Sequence, residues 1–533
     1  MKRSTYIWSL LVGCVAFATS CDLTEDVQVK ADKSMIFGSK SGLELYSNSF
    51  YKALPTLKNG FMQDKMCDVG AVSNTDTFIK RGAYNTETAT SWSWGALKNV
   101  NYFIDGCNDP KYCTVEAETR DNYLGIARWF RAWFYYDKLT TYGEVPWFPN
   151  DIQSYQNDVM YKDRDSRDVI IRNLIADLDF AYEHIQATSS TGSATLTRWA
   201  AAALKSRVCL FEAAYRRYHN LTGLEITPEE LYREAAKAAK LVIDNSGCSL
   251  NTAAGKKGAY RDLFYSETPL TQEVILAVCA NEKSGIFGEQ NWWFNARSYG
   301  LCWSLVRSFV HTYLKQDGTP FTAAADYAVK SFAEEMEGRD LRLEQTVRGR
   351  NFLWDGKTAV ADIKNLSLTG YQVIKYTLDE SKYDGGAKNI NSIPLIRYAE
   401  VLLNYAEAQA ELGVLTDSEW ALTVGALRKR AGITGGTETL PTTVDSYLQR
   451  TFYPDVTSPV LLEIRRERAI ELVAEGMRFD DLRRWKCGSL METLRWSGIH
   501  IPGLEQPVDV NGDGVNDYYF TDCLLYTSPS PRD

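Results

Sequence analysis

The chain is short of histidine: only four occur (His184, His219, His311 and His500). None sits in a catalytic or metal-binding motif, which thins the ordinary menu of hydrolytic chemistry. It also lacks a basic surplus. Lys and Arg number 59 against 68 Asp and Glu, a formal charge of −9, and nucleic-acid binding, which needs a basic footprint, is excluded as the working class. Short basic runs such as Arg428-Lys429-Arg430 are too few to reverse this. Beyond the first twenty residues no hydrophobic run is long enough to span a bilayer as a helix. The 11 cysteines include no CxxC pair and none beside a histidine at zinc spacing. Cys107 and Cys113 could pair in an oxidising compartment, with free buried thiols an equal alternative.

What is present starts at the N-terminus. Lys2 and Arg3 precede a mostly apolar Ile7–Phe17, and Ala18-Thr19-Ser20 leads into Cys21. That is the anatomy of a secretory signal over residues 1–20. The expected outcome is a lipoprotein whose first mature residue is a lipidated Cys21, since several acyl chains anchor a protein durably. An ordinary cleaved signal with an incidental Cys21 is the alternative. At the other end, Cys523–Asp533 (CLLYTSPSPRD) reads as the translation of a transposase sequencing adapter, against a native Ser/Pro tail. The natural part of the given sequence is therefore expected to stop at or just before Asp522, with the true C-terminus missing, and residues 523–533 are excluded from the fold reasoning. Residues 21–522 are ample for a large core.

Helical periodicity runs through Leu43–Leu54, Trp94–Cys107, Tyr123–Tyr142, Asp168–Ile185, Thr197–Tyr218 and Pro228–Asn245. Thr227 is a suitable N-cap, Pro228 sits just inside a start and Gly247 just past an end. The alanines at 200–203 with Leu204, Val208 and Phe211 make a close-packing face. Ile393–Gly413 and Leu462–Trp485 also read as helices. In the second, Glu463–Arg466 and Arg468–Glu471 are spaced three apart, close enough to pair. Thr252–Ile390 is looser and rich in Gly, Asn, Asp and aromatics. Its Val274–Ala280 stretch is a strand or a buried helix segment, which periodicity cannot separate. The expected class is mainly α: a tetratricopeptide-like helix-pair scaffold, without a strict thirty-four-residue repeat. Its helical parts would span about 40–250 and 391–522, with a loop-rich, aromatic-rich part at about 251–390.

Several of these segments together resemble a known family. Arg131–Phe148 (RAWFYYDKLTTYGEVPWF), Ile393–Gly413 (IPLIRYAEVLLNYAEAQAELG) and Leu462–Trp485 (LEIRRERAIELVAEGMRFDDLRRW) carry the pattern most fully. Trp94–Asn101, Arg167–Ala181, Arg198–Leu210, Gly338–Leu343 (GRDLRL), Gly370–Tyr376 and Leu427–Ile433 continue it in order, with Leu341 where proline is usual. The chain is similar to the SusD/RagB family of outer-membrane nutrient-binding lipoproteins over most of residues 21–522. The resemblance implies a SusD-like fold and a non-catalytic protein that binds a glycan, or in some members a peptide. It implies delivery to a SusC-like, TonB-dependent outer-membrane barrel. Cys21 would carry the lipid, and Asp22, Glu25 and Asp26 just after it resemble this phylum's signal for export to the outer face of the outer membrane. Arg131, Asp137, Tyr142, Gly143, Arg397, Glu400, Arg465, Glu467, Arg478, Asp480 and Arg483 carry the family pattern. They are expected to hold the fold, each buried Arg paired with an Asp or Glu.

A sugar ring offers apolar C–H faces to flat aromatics and hydroxyls to Asn, Asp and Arg. Two stretches hold that mixture. Arg81–Trp94 supplies Arg81, Tyr84 and Trp92, with Trp94 expected in the core. Asn291–Trp303 supplies Asn291, Trp292, Trp293, Arg297 and Tyr299. Trp292 and Trp293 are adjacent, so on a regular backbone at least one is expected to point away from the core. No cofactor is required, but Asp509, Asn511, Asp513, Val515 and Asp517 fall at spacings of a calcium loop, lacking its twelfth-position Glu. An Asx/Gly turn is the alternative there. The competing functional classes are a helical-scaffold glycoside hydrolase, which would need two facing carboxylates that no local motif nominates, and a structural assembly protein.

Overall fold

The computed structural model describes residues 33–58, 64, 67–73, 92–153, 155–295 and 302–521. Cys21, Arg81, Tyr84, Arg297, Tyr299 and residues 523–533 lie outside them. The N-terminal part is a run of helices: α1 Lys40–Ser47, α2 Gly95–Asn108, α3 Ala117–Tyr142, α4 Arg167–His184, α5 Arg198–Tyr218 and α6 Pro228–Asn245. Their ends follow local chemistry. Thr227 and Glu230 form a reciprocal capping box at α6, satisfying two donors that a helix start leaves orphaned. α3 stops at Gly143, whose φ of +77° costs a glycine little.

Successive helices pack side by side, α3 on α4, α4 on α5 and α5 on α6. α5 is enclosed: Ala200, Ala201, Ala202 and Ala203 are all buried, and their small side chains let neighbouring backbones approach. The C-terminal helix α8, Tyr398–Glu411, closes the array against α5 and α6. The fold is mainly α, as expected from the sequence.

Two helical readings are corrected. Ile393–Arg397 is not helical; it is strand β2, paired antiparallel with β1, Val274–Val278. Pro394 and the β-branched Ile393 and Ile396 suit a short two-stranded ladder, and the helix begins only at Tyr398. The same pairing settles Val274–Ala280 as a strand. Leu462–Trp485 is two helices, α10 Pro459–Glu471 and α11 Arg478–Arg484, following α9, Val424–Arg430, and α7, Gln290–Asn295. Ala474 and Gly476 take positive φ values of 65° and 82° in the break. The break turns Glu475 back towards Arg397 and Lys375, at 2.7 and 2.6 Å.

That contact belongs to a buried charge network. Glu471, at the end of α10, pairs with Arg342 at 2.8 Å, Arg397 at 2.6 Å and with Arg430. Glu273 takes Arg397 and Arg430 at 3.0 and 3.1 Å, and Glu467 takes Arg342 and Arg428. Strand β1, the loop-rich region and the C-terminal helices are thereby tied at one point. Burial pushes the Glu471 carboxyl up, but Arg430, Arg397 and Arg342 outweigh it and hold it well below the usual range. Burial carries the Lys375 ammonium down to about 8.

The expected pairings hold for Arg131–Asp177, Arg207–Glu400 and Arg478–Asp68, each at 2.7 Å, and for Glu463–Arg466 at 3.0 Å. Three expectations fail. Arg468 bonds Asp481 at 2.8 Å rather than Glu471, which the three arginines already occupy. Asp137 is a surface group, 67% exposed beside Lys138. Among the described residues, Arg465 is buried without a carboxylate on it: its guanidinium lies 4.9, 5.3 and 4.4 Å from the rings of Tyr218, Tyr453 and Trp485, and its Nε and Nη2 groups meet no acceptor there. Three ring faces take the place of the anion.

Candidate functional site: an aromatic cleft beside α2

The start of α2 and the chain between α3 and α4 enclose a cleft of about 700 Å³. One wall is Trp92 and Trp94. The Trp92 indole, 43% exposed, meets Trp94 and Tyr142 edge-on at 5.1 and 4.8 Å. Trp94 is half-buried, its ring 5.5 Å from Phe134 and 5.3 Å from Phe148, so it braces Trp92 against the scaffold. The facing wall is Phe148, Ile152, Met160 and Tyr161, and Tyr161 is 78% exposed. Apolar rings left this open cost solvation free energy unless something covers them, which is why exposed aromatics mark sites.

The walls are held firmly. Asn101 of α2 donates from its Nδ2 to the carbonyls of Phe148 and Asn150 at 2.9 and 3.0 Å. The Tyr135 hydroxyl accepts from the Phe148 N–H at 2.7 Å and donates to the Pro146 carbonyl at 3.2 Å. Lys162 donates to the Trp147 carbonyl at 3.0 Å and pairs with Asp165 at 2.6 Å. Backbone fixed this way is preorganised, so a ligand meets a formed surface. Lys98, Asp163 and Arg164 stand at the rim, exposed, with no side-chain hydrogen bond or ion pair among the described residues. The Asn101 Oδ1 beneath the floor has no partner either. Flat rings below and spare donors and acceptors around them suit a ligand with apolar faces and a hydroxylated edge.

Of the residues expected at the site, Trp92 lies in this cleft. Asn291 does not: it is fully buried in α7. Its Nδ2 donates to the Leu378 carbonyl at 2.8 Å and to Asp384 at 3.1 Å. Its Oδ1 accepts from the Leu378 N–H and from Asn389 at 2.8 and 2.7 Å. With every lone pair and hydrogen engaged in tying the loop-rich region together, Asn291 is removed from the contact set. Trp292 and Trp293 are half-buried and stacked on each other at 6.0 Å. The Trp293 indole donates to Glu289 at 3.1 Å. Neither lines the cleft. Trp303 is core: a Cβ on Gly70 would lie 2.5 Å from its indole nitrogen, so glycine makes room for the ring. Sequence reasoning missed Tyr161, Met160, Lys98 and Arg164. Tyr161 had a usable signal, an aromatic in a polar stretch (NDVMYKDRD), the criterion that found Trp92.

The acidic loop has turned its ligands inward. Asp509 accepts the N–H groups of Gly512 and Gly514, each at 2.7 Å. Asn511 donates to Asp513 at 3.0 Å, and Asp517 accepts the Val510 N–H at 2.8 Å. These are Asx turns closing on backbone N–H. Among the described residues no group of three or more His, Cys, Asp or Glu is placed to hold a metal. As arranged, Asp509 and Asp517 direct carboxylate oxygens at backbone N–H groups of the loop itself. Adding millimolar calcium or a chelator is expected to shift the melting temperature by less than about 1 °C, since ligand stabilisation needs a formed site; a rise of several degrees with calcium would show that the loop reorganises around the ion.

The family model described as the SusD family matches residues 272–521. A SusD-like carbohydrate-binding protein from Bacteroides fragilis superposes with a TM-score of 0.67 at 19% identity, covering 86% of this chain and 88% of its own. A second SusD-like protein from the same organism gives 0.64 at 23% identity, with 86% and 88% covered. A further structure, solved with a xylogluco-oligosaccharide, gives 0.55 at 19% identity, with 83% and 82% covered. No curated protein matches the chain.

Proposed function

For a chain of SusD-like fold whose residues 272–521 match the SusD family, we propose that the aromatic cleft beside α2 binds an oligosaccharide without cleaving it. The observation that carries this reading is the pairing of open rings, Trp92 and Tyr161, with unengaged polar groups at Lys98, Asp163 and Arg164. Sugar faces stack on the rings, and hydroxyls bond to the rim. Asp163 is the carboxylate among the lining residues, whereas glycoside hydrolysis ordinarily uses two facing carboxyl groups. The protein would be anchored by lipid on Cys21 at the outer face of the outer membrane and hand its ligand to a SusC-like, TonB-dependent barrel. Similar structures described as carbohydrate-binding and as a complex with a xylogluco-oligosaccharide support the ligand class.

The experiment is electrophoresis of the purified protein through gels cast with different polysaccharides, together with pull-down from solubilised outer membranes. Retardation by at least one glycan and co-purification of a large barrel are expected. Retardation by none, with capture of peptides instead, would overturn the glycan assignment.

A further inference from the structure

α2 begins at the cleft and ends, three turns on, at a pair of sulfurs. Cys107 lies in its last turn, buried. The chain then doubles back: the Asp109 N–H donates to the Gly106 carbonyl at 3.4 Å, and the N–H groups of Tyr112 and Cys113 donate to the Asp109 carbonyl at 3.1 and 2.9 Å. This tight turn returns Cys113 to the apolar cluster that holds Cys107, and the two thiols are close enough to influence each other's ionisation. Other cysteines point their sulfur at backbone instead: Cys67 donates to the Asp64 carbonyl, Cys279 to Gly192, Cys302 to Asn365 and Cys487 to Trp485. The two thiols also differ in access. Cys113 is half-exposed and Cys107 is buried. Burial makes both thiols harder to ionise, and the Arg120 guanidinium in the first turn of α3 works against it at each.

We propose that Cys107 and Cys113 form a disulfide when the protein meets an oxidising environment, stapling the end of α2 to the turn that leads into α3. The reachable Cys113, as thiolate, attacks one sulfur of a small disulfide or of an oxidoreductase's disulfide. A mixed disulfide forms and the oxidant's other sulfur leaves as a thiol. Cys107 gives up its proton and attacks the Cys113 sulfur, and the second thiol of the oxidant departs. One protein S–S bond forms, one oxidant S–S bond breaks, and two electrons and two protons pass to the oxidant. The access order favours this sequence, with the exposed thiol attacking and the buried one resolving. Closure fixes the far end of the helix whose near end carries Trp94 and Lys98.

The test is mass spectrometry of the full chain equilibrated with glutathione disulfide, then denatured, alkylated and digested. The expected result is a cross-linked peptide joining Cys107 to Cys113, two alkylation sites fewer than in the reduced protein, and a mass lower by about 2 Da. Closing so short a loop is also expected to raise the melting temperature by about 2–5 °C, and Cys113→Ser should abolish both the cross-link and the rise. Recovery of both cysteines alkylated after oxidation, or of Cys107 joined to any other cysteine, would overturn the proposal. Cys113→Ser replaces a half-exposed side chain, so its unaltered circular dichroism separates loss of the staple from loss of the fold.

Discussion

Glu471→Gln is expected to cost about 3–5 kcal/mol of folding stability, read as a lower urea midpoint, because it removes a charge shared by three buried guanidinium groups. Arg342, Arg397 and Arg430 all converge on that carboxylate and are themselves buried. An amide can accept two hydrogen bonds, but it leaves the positive charges under-compensated where water cannot reach. The natural comparison is Asp480→Asn. Asp480 pairs with Arg483, and both side chains are about a quarter exposed. Its loss should cost at most about 1 kcal/mol, as expected for a pair that solvent screens.

The same carboxylate sets an acid limit. The folded protein holds Glu471 below its unfolded value of 4.5, so the unfolded chain takes up the proton first as pH falls. Its contribution is present in full above about pH 4.5 and drains away as pH drops towards the folded value. Glu335, Glu407 and Glu475 are depressed in the same direction. The urea midpoint should therefore fall below about pH 4.5, and Glu471→Gln should shallow that acid limb. An acid limb identical in the variant would show that other groups carry it.

The largest effect on function is expected at the open rings. Trp92→Ala and Tyr161→Ala should each weaken binding of the retained oligosaccharide roughly 30-fold, about 2 kcal/mol apiece. Together they should remove detectable binding. Both side chains stand open to solvent at the cleft, so removing them creates no core cavity and the melting temperature should move little. Trp292→Ala should weaken binding by less than about threefold, since Trp292 lines no part of this cleft. The opposite ranking, with Trp292 dominant, would move the site to α7.

How much of this was legible in the chain follows from what each signal encodes. α6 could be read to the residue, because Thr227, Glu230 and Pro228 are local capping chemistry. β2 could not: Ile393–Arg397 runs straight into a helix, and only pairing with Val274–Val278, more than a hundred residues earlier, makes it a strand. The break before α11 hid for a related reason, since Gly476 is one residue and the charges around it look helical at every step. At the site, Trp92 stood out because an indole in polar sequence has little reason to be there unless it packs or binds. Asn291 was chosen as a polar partner beside aromatics, and the structure turns its amide to a different use. Whether an amide is spent on Leu378, Asp384 and Asn389 or free for a ligand depends on residues about ninety positions away. Arg465 shows the limit of pairing rules, since three rings from three segments substitute for a carboxylate that sequence logic required.

Native mass spectrometry of the protein with the oligosaccharide it retains tests the central claim most directly, because one spectrum reports both occupancy and the length of the bound chain. The expected result is a complex carrying one intact oligosaccharide, present for the wild type and lost with Trp92→Ala. Shortened sugar chains would make the protein an enzyme, and intact binding that survives removal of Trp92 and Tyr161 together would place the site elsewhere on the scaffold.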